Sequence, residues 1–235
     1  MGLMVISSAL FSSAILATAT TTSSGTLFDL FKAGGWTMVP IAICSLIAMG
    51  IIVERIWALK RERILPKHLV AQVWTWIKNG QFDKSKMRDL KNSSELGEVL
   101  TAGLLNHQYG RESMKASINE AGRAVVVRLE RYLNTLGSIA LVAPLLGLLG
   151  TVIGMIKVFT VMRVEGVGNA DALAGGISEA LITTAAGMAV AIPTLVLHRH
   201  FIRRVEELVT DMEQEALKMV DVLHGEREIF TSSQD

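Results

Sequence analysis

The sequence predicts an all-α membrane protein with three transmembrane helices and long cytoplasmic helical extensions. Three runs of the chain are almost free of charge over a length that crosses a bilayer, for which about 20 apolar residues are needed. Of the 235 residues, 50% are hydrophobic and 19% are charged, whereas a soluble domain carries about 25% charged residues. The segments between and after these runs are polar, with apolar residues at the three- and four-residue spacing of an amphipathic helix.

Hydropathy divides the chain into successive segments with predicted boundaries. These are a leader or signal-like segment at 1–26, an interfacial helix and first transmembrane helix at 27–57, a cytoplasmic helical loop at 58–132, a second transmembrane helix at 133–162, a short periplasmic link at 163–173, a third transmembrane helix at 174–198, and a cytoplasmic amphipathic helix and tail at 199–235. Because the link is too short for a domain, the second and third transmembrane helices are expected to form an antiparallel hairpin.

The leader has three interpretations from its sequence. An apolar run followed by Ala17-Thr18-Ala19 resembles a signal peptide with a small-residue cleavage site. A secretory signal also has a positively charged start, yet the first basic residue here is Lys32. A cleaved signal, a weak extra span and a loosely attached leader are therefore all open.

Two tryptophans bracket the first span. No charge lies between Thr37 and Val53, and Trp36 and Trp57 would be about 31 Å apart along a helix. Aromatic side chains concentrate at the two membrane interfaces, so we expect one tryptophan at each interface. The stretch Leu27–Gly35 before this span is amphipathic and suits the membrane surface.

The polar segments are expected to be helical. Asn79-Gly80 is a predicted break, and from Arg111 a helix is expected to run directly into the second span. After the third span an amphipathic helix continues, and Gly225 is expected to end it. Its apolar stripe consists of Phe201, Val205, Leu208, Met212, Ala216, Met219 and Leu223.

The basic residues predict which way the chain crosses the membrane. All but three of the 23 lysines and arginines lie in the loop from Glu54 to Leu133 or in the C-terminal tail, and the exceptions are Lys32, Lys157 and Arg163. Basic residues concentrate in cytoplasmic loops. The N-terminus is therefore predicted to be periplasmic and the C-terminus cytoplasmic.

Small residues recur at helical spacing on one face of the second span and one face of the third. Small side chains let helix backbones approach closely in lipid, so we expect these faces to pack against each other. The predicted packing residues are Gly147, Gly150, Gly154, Gly176, Ala180 and Gly187.

Two threonines are predicted to lie near the middle of the membrane. Thr151 and Thr184 are each about 17 Å from the outer end of their span, which places both close to the midplane. A hydroxyl both donates and accepts hydrogen bonds, as a proton or water path requires. It can equally bond a carbonyl of its own helix, and the spacing alone does not choose between these roles.

One carboxylate and one amine lie nearer the outer ends of the hairpin. Glu179 is about 12 Å inside its span, where a lipid-facing carboxylate is unfavourable, so it should face a bundle interior or be protonated. A structural pairing with a cation such as Lys157, or with a neighbouring subunit, is the alternative. We expect Lys157 to extend its amine to the membrane interface.

These motifs carry a family resemblance. APLLGLLGTVIGM at 143–155 followed by GGISEALITTAAGMAVAIP at 175–193 resembles the signature of the ExbB/TolQ/MotA proton-channel family. The resemblance extends from about Phe28 to Gly225. Three spans are typical of the ExbB/TolQ branch, whereas MotA has four, so the span count favours an ExbB-like protein in the bacterial inner membrane.

The resemblance implies a ring of this chain, usually a pentamer, around single-span ExbD-like partners whose membrane aspartate takes up and releases protons. It also implies a TonB-like protein that receives the work. Thr151 and Thr184 match the family's pore threonines, and Glu179 matches its third-span glutamate. The chain departs from the family in having Thr183 beside Thr184, and Lys157 in the second span, and either departure could change which hydroxyl faces the pore. The expected proton-pathway or pore-lining residues are therefore Thr151, Thr184, Thr183 and Glu179.

The expected function is therefore that of a proton-channel subunit that couples the proton motive force to TonB-type transport across the outer membrane. A TolQ-like envelope-maintenance subunit, a motility stator subunit and a non-conducting membrane scaffold are the alternatives. No enzyme is expected, because the glycines of GLLGTVIG lie inside a span and not after a strand, as a nucleotide site would require. Because Cys44 is the only cysteine, it cannot alone build a metal site, and no metal or other cofactor is expected. Because the net charge is only +1, no nucleic-acid partner is expected.

Overall fold

The computed structural model describes residues 33–66, 69–78, 83–166 and 170–223, and these residues form helices and their connections without a strand. The predicted leader at 1–26, most of the interfacial stretch before the first span, the break at Asn79-Gly80 and the helix end at Gly225 lie outside the described residues.

The helices follow the polar and apolar segments of the sequence. Their bounds are α1 Met38–Ala58, α2 Arg61–Ile64, α3 Leu69–Lys78, α4 Lys84–Ser93, α5 Glu95–Leu105, α6 Arg111–Leu129, α7 Leu133–Glu165 and α8 Ala170–Leu223, with a 3-10 turn at His107–Tyr109 between α5 and α6. The α5 helix begins at Ser94, whose hydroxyl accepts a hydrogen bond from the Gly97 amide at 3.0 Å. Such a cap satisfies one of the free amides at the start of a helix.

Three helical stretches are long and apolar enough to cross a membrane. They are Met38–Ala58, Arg111–Val164, which includes the turn between α6 and α7, and Ala170–Leu223, and their most apolar windows have mean hydropathies of 2.0, 2.4 and 2.0. Only 17%, 33% and 28% of these windows is buried inside the chain. Their remaining apolar surface therefore has to be covered by lipid or by other chains. The predicted interface residues Trp36 and Trp57 are 78% and 69% exposed.

The chain forms two compact units. The first contains the residues up to Ile47 together with Ile139–Pro193, and the second contains Ala48–Ser138 and the residues from Thr194 onward. The first unit thus holds most of the α7–α8 hairpin that carries the sequence motifs.

The second unit has an aliphatic core built from helix stripes. The predicted stripe of α8 is buried from Phe201 to Met219. Burying each of its Phe, Val, Leu and Met side chains favours folding by about 1.5–3 kcal/mol. The buried hydrophobic residues that α5 and α6 add include Leu96, Val99, Leu100, Leu104, Met114, Ile118, Val125 and Leu129.

The prediction that one helix runs from Arg111 directly into the second span is wrong. The α6 helix ends at Leu129 and α7 begins at Leu133, and between them Tyr132 has a φ of 65°. That left-handed backbone cannot continue a helix. The Leu129 carbonyl, left without a helical donor, accepts a hydrogen bond from Arg55 Nη1 at 2.8 Å.

Candidate functional site

The contact between α7 and α8 is made of backbone and small side chains. A methyl group at Gly154 would lie 2.8 Å from the Ala180 Cβ and 2.8 Å from the Gly176 carbonyl oxygen. A methyl group at Gly187 would lie 2.6 Å from the Ala143 carbonyl oxygen. These distances are shorter than van der Waals contact, so the two helices approach as closely as they do only because these positions lack side chains.

The remaining predicted packing residues lie in the same contact. A methyl group at Gly147 would be 3.0 Å from the Thr184 Cα, and one at Gly176 would be 2.6 Å from Val158 Cγ2. At Gly150 the space that a side chain would need is filled by Thr183. The structure therefore brings all six predicted packing residues together, in what we call the glycine seam: Gly147, Gly150, Gly154, Gly176, Ala180 and Gly187.

The three threonines of the motifs have different environments. Thr183 is fully buried, and its hydroxyl donates within α8 to the Ala180 carbonyl at 2.9 Å. Thr184 is half-buried, and its hydroxyl donates across the hairpin to the Gly147 carbonyl at 3.1 Å. Thr151 is also half-buried, and it donates to the Leu148 carbonyl of its own helix at 2.6 Å.

These bonds give the hydroxyls separate roles within the chain. Thr183 packs the glycine seam. Thr184 links the two helices. Thr151 keeps an accessible oxygen that has free lone pairs while its proton bonds its own helix. The sequence left own-helix bonding and a path role open, and the geometry leaves Thr151 and Thr184 as the hydroxyls that a neighbouring chain or water can reach.

Glu179 forms an ion pair with Lys157 across the hairpin. The Lys157 amine donates to both carboxylate oxygens, at 2.6 and 2.8 Å. This is the pairing with a cation that the sequence left as the alternative, and it gives the carboxylate a partner inside its span, where an unpaired charge is unfavourable. The position of the Lys157 amine relative to the membrane interface stays a prediction.

Sequence reasoning missed Gly35, which contacts the same carboxylate. Gly35 has a φ of 66°, and a side chain there would collide with the Glu179 carboxylate. The Gly34-Gly35 pair before the first span signals a turn in the sequence. Nothing in its pattern indicates which residue it meets, because that residue lies 144 positions later in the chain.

The hairpin carries few groups that could bind a proton. Between residues 143 and 162, and between 174 and 198, Glu179 is the only acidic residue of the sequence. In the described ranges, no three His, Cys, Asp or Glu side chains are placed to hold a metal ion. The arrangement can therefore offer hydroxyls and carbonyls to a proton path, but no carboxylate near the midplane.

Comparisons with known proteins agree with the motifs. A family described as the MotA/TolQ/ExbB proton channel family matches residues 91–214, which include the whole glycine seam. The chain is 34% identical over 184 residues to a putative biopolymer transport protein, ExbB-like 1, of Synechocystis sp., covering 76% of this chain and 71% of that one. It is 28% identical over 192 residues to a putative biopolymer transport protein ExbB homolog of Methanothermobacter thermautotrophicus, and this match covers 80% of this chain and 67% of the relative. It is 35% identical over 98 residues to the biopolymer transport protein ExbB of Aquifex aeolicus, and this match covers 42% of this chain and 61% of the relative.

Proposed function

The chain belongs to the MotA/TolQ/ExbB proton channel family, and we propose that it is an inner-membrane proton-channel subunit that couples the proton motive force to TonB-type energised transport. In this proposal it acts with an ExbD-like single-span partner that carries a membrane aspartate, and it is not itself an enzyme. Several copies surround that partner, five if the ring is the pentamer that the family resemblance implies. The N-terminus is periplasmic and the C-terminus cytoplasmic.

The glycine seam with its accessible hydroxyls is the observation that carries the proposal. Thr184 and Thr151 lie in the hairpin motifs, and neither motif holds a carboxylate near the midplane. Such a hairpin can line a path but needs a proton carrier from elsewhere. A partner helix with an aspartate supplies that carrier.

The energy available is sufficient for a mechanical step. One elementary charge that moves through 100 mV releases about 2.3 kcal/mol. Several protons per event therefore release more than the roughly 5.5 kcal/mol that moves a two-state equilibrium from 1:99 to 99:1.

The exposed apolar surface of the hairpin supports an assembly of several chains. Leu145 and Leu148 are 61% and 57% exposed, and Val152 is 51% exposed. These residues lie on α7 outside the glycine seam. Surfaces of this kind are covered by lipid or by neighbouring subunits, and a ring buries part of them against the next copy.

The first test combines assembly and proton flux. The complex is purified in mild detergent, its native mass is measured, and every chain in it is identified. It is then reconstituted in liposomes with a pH-sensitive dye inside. We expect several copies of this chain with small single-span chains, and a proton flux that Thr184→Val lowers at least about tenfold, the effect of losing roughly 1.4 kcal/mol of stabilisation.

Thr160→Val is the matched control for this variant. The Thr160 hydroxyl donates only to the Ile156 carbonyl of its own helix, at 2.8 Å, and lies near the outer end of α7, so its loss should leave the flux unchanged. A complex without any aspartate-bearing span, or an unchanged flux in Thr184→Val, would instead favour a non-conducting scaffold.

A further inference from the structure

A pocket lies where the first apolar helix ends beside the polar half of α8. It has a volume of about 490 Å³ and is formed by the end of α1, the start of α2 and the adjoining turn of α8. All of these residues belong to the second compact unit. We call it the juxtamembrane pocket, and the lining residues on which its chemistry depends are Ile56, Leu59, Lys60, Arg61, Phe201 and Arg204.

Basic side chains dominate the polar lining of this pocket. Arg61 lies 3.0 Å from Asp211, and Arg204 lies 3.3 Å from Glu207, but neither of these carboxylates lines the pocket. The two acidic side chains are 33% and 50% exposed. Ion pairs this open to water contribute little to stability, so an anion inside the pocket can compete for both guanidinium groups. The one carboxylate of the lining, Glu62, is exposed.

Lys60 has no acidic partner among the residues that the structure describes. Its amine lies 5.8 Å from the centre of the Trp57 ring, a side chain that is 69% exposed and is predicted to lie at the membrane interface. The third basic group of the pocket is therefore available to an anion at the expected depth of the lipid headgroups.

The order of charges along α8 agrees with this placement. Between residues 198 and 205 the sequence HRHFIRRV holds three arginines and no acidic residue, and the first acid after the third span is Glu206. The basic groups thus come first after the apolar span and the acidic groups follow farther along the helix. This separation places positive charge where the phosphates of anionic lipids lie.

The pocket also has an apolar side that continues along α1. Ile56 lines the pocket and is 54% exposed, and Val53, one turn earlier on the same helix, is 59% exposed. Leu59 and Phe201 are buried and close the pocket from within. A water-soluble anion would leave the exposed apolar surface uncovered, whereas the acyl chains of a lipid would cover it.

We propose that the juxtamembrane pocket binds the phosphate group of an anionic phospholipid, with Lys60, Arg61 and Arg204 around the phosphate and the acyl chains along α1. Basic pockets between transmembrane helices bind lipid headgroups in this way. The pocket contains no residue of the glycine seam. Lipid binding there goes beyond the proposed function and does not depend on proton conduction.

Native mass spectrometry of the delipidated complex in mild detergent tests the site. The complex is titrated with dioleoyl phosphatidylglycerol or with dioleoyl phosphatidylcholine, which has the same acyl chains and no net charge. We expect the anionic lipid to bind at about one molecule per chain, and at least about tenfold more tightly than the zwitterionic lipid. The variant Lys60→Gln/Arg204→Gln should remove this preference, because it removes two of the three available cations.

Arg88→Gln/Lys218→Gln is the matched control, because it removes the same charge outside the pocket. Arg88 is exposed, and Lys218 pairs with Glu215 three residues away on α8, as Arg204 pairs with Glu207. This variant should keep the lipid preference of the parent. Equal binding of the two lipids by the parent, or an equal loss of preference in the control, would overturn the proposal.

Inorganic phosphate separates a lipid site from a site for a soluble anion. At millimolar concentration it should displace no more bound phosphatidylglycerol than chloride of the same ionic strength does. A specific displacement by phosphate would assign the pocket to a water-soluble phosphate compound and overturn the lipid proposal.

Trp57 gives a second measurement in a bilayer that needs no variant of the basic residues. In nanodiscs of phosphatidylcholine, a small fraction of brominated phosphatidylglycerol should quench Trp57 more than the same fraction of brominated phosphatidylcholine, with Trp57→Phe as the blank. Equal quenching by the two lipids would contradict the proposal. A complex that conducts no protons would refute the proposed function alone, since neither lipid measurement needs conduction.

Discussion

At the scale of single residues, the hairpin depends on side chains that are absent. In the glycine seam the space beside Gly150 is filled by Thr183, which is fully buried. The hydroxyl of Thr183 bonds its own helix, so moving the side chain to admit an added group would break that bond. Each seam glycine is therefore a steric requirement of the contact between α7 and α8.

Gly150→Ala should destabilise the hairpin by about 1–3 kcal/mol, because the new methyl group overlaps the Thr183 side chain. The free energy of unfolding, measured by denaturant titration in detergent, checks this. Gly175→Ala is the control, since a methyl group at Gly175 would meet nothing within 4 Å. Equal stabilities of the two variants would show that the seam tolerates expansion.

The sequence predicted the glycine seam and named Lys157 as one candidate partner of Glu179, but it could not choose between that pairing and the alternatives. The three- and four-residue period shows which residues share a face of one helix. The period does not give the register between two antiparallel helices, on which the distance between Lys157 and Glu179 depends. Gly35 is harder still, because its contact with Glu179 joins segments far apart in the chain.

At the scale of helices, the junction of α6 and α7 depends on an arginine from another helix. The Arg55 side chain is buried, at 4% exposure, and its Nη1 donates to the Leu129 carbonyl at the end of α6. Its guanidinium carbon lies 5.6 Å from the centre of the Tyr132 ring. Arg55 therefore caps one helix and stacks on the residue whose backbone separates that helix from the next.

Arg55→Met should destabilise the second unit by about 1.5–3 kcal/mol, because the buried Leu129 carbonyl loses a charged donor. Thermal unfolding followed by circular dichroism measures the effect. Arg63→Met, which removes an exposed arginine five residues beyond α1, should change the midpoint little. A loss of stability as large in Arg63→Met would point to overall charge as the cause.

Hydropathy predicted the apolar spans at this scale, but local pattern could not predict the break at Tyr132. The apolar periodicity of residues 111–136 continues through the junction, and no glycine or proline marks it. A non-glycine residue with a φ of 65° is unfavourable alone. Contacts with Arg55 and Arg131, whose guanidinium lies 4.7 Å from the Tyr132 ring centre, help to hold it in place.

At the scale of the whole molecule, the three apolar stretches bury little of their surface within one chain. Hydropathy therefore predicts that the spans exist. It does not predict whether lipid or another protein chain covers each apolar surface, because neither is encoded in the sequence of this one chain. The proposed orientation rests on another property, because the basic residues lie almost entirely in the loop and tail.

Single cysteines test this orientation. In a Cys44→Ala background, Arg163→Cys should react with a membrane-impermeant maleimide on intact spheroplasts, because the link between α7 and α8 is proposed to be periplasmic. Glu213→Cys, on the exposed side of α8, should react only after lysis. Labelling in the opposite order would reverse the proposed topology.

The glycine seam also limits how the chain can be rebuilt. Gly187 lies against the Ala143 carbonyl and Gly154 against Ala180. The surfaces of the two helices are therefore complementary in shape, and few side chains lie between them that could adjust to a mismatch. In a chimaera between relatives, α7 exchanged without its own α8 would leave gaps or overlaps along the whole contact. The two helices should therefore be transplanted as a single part.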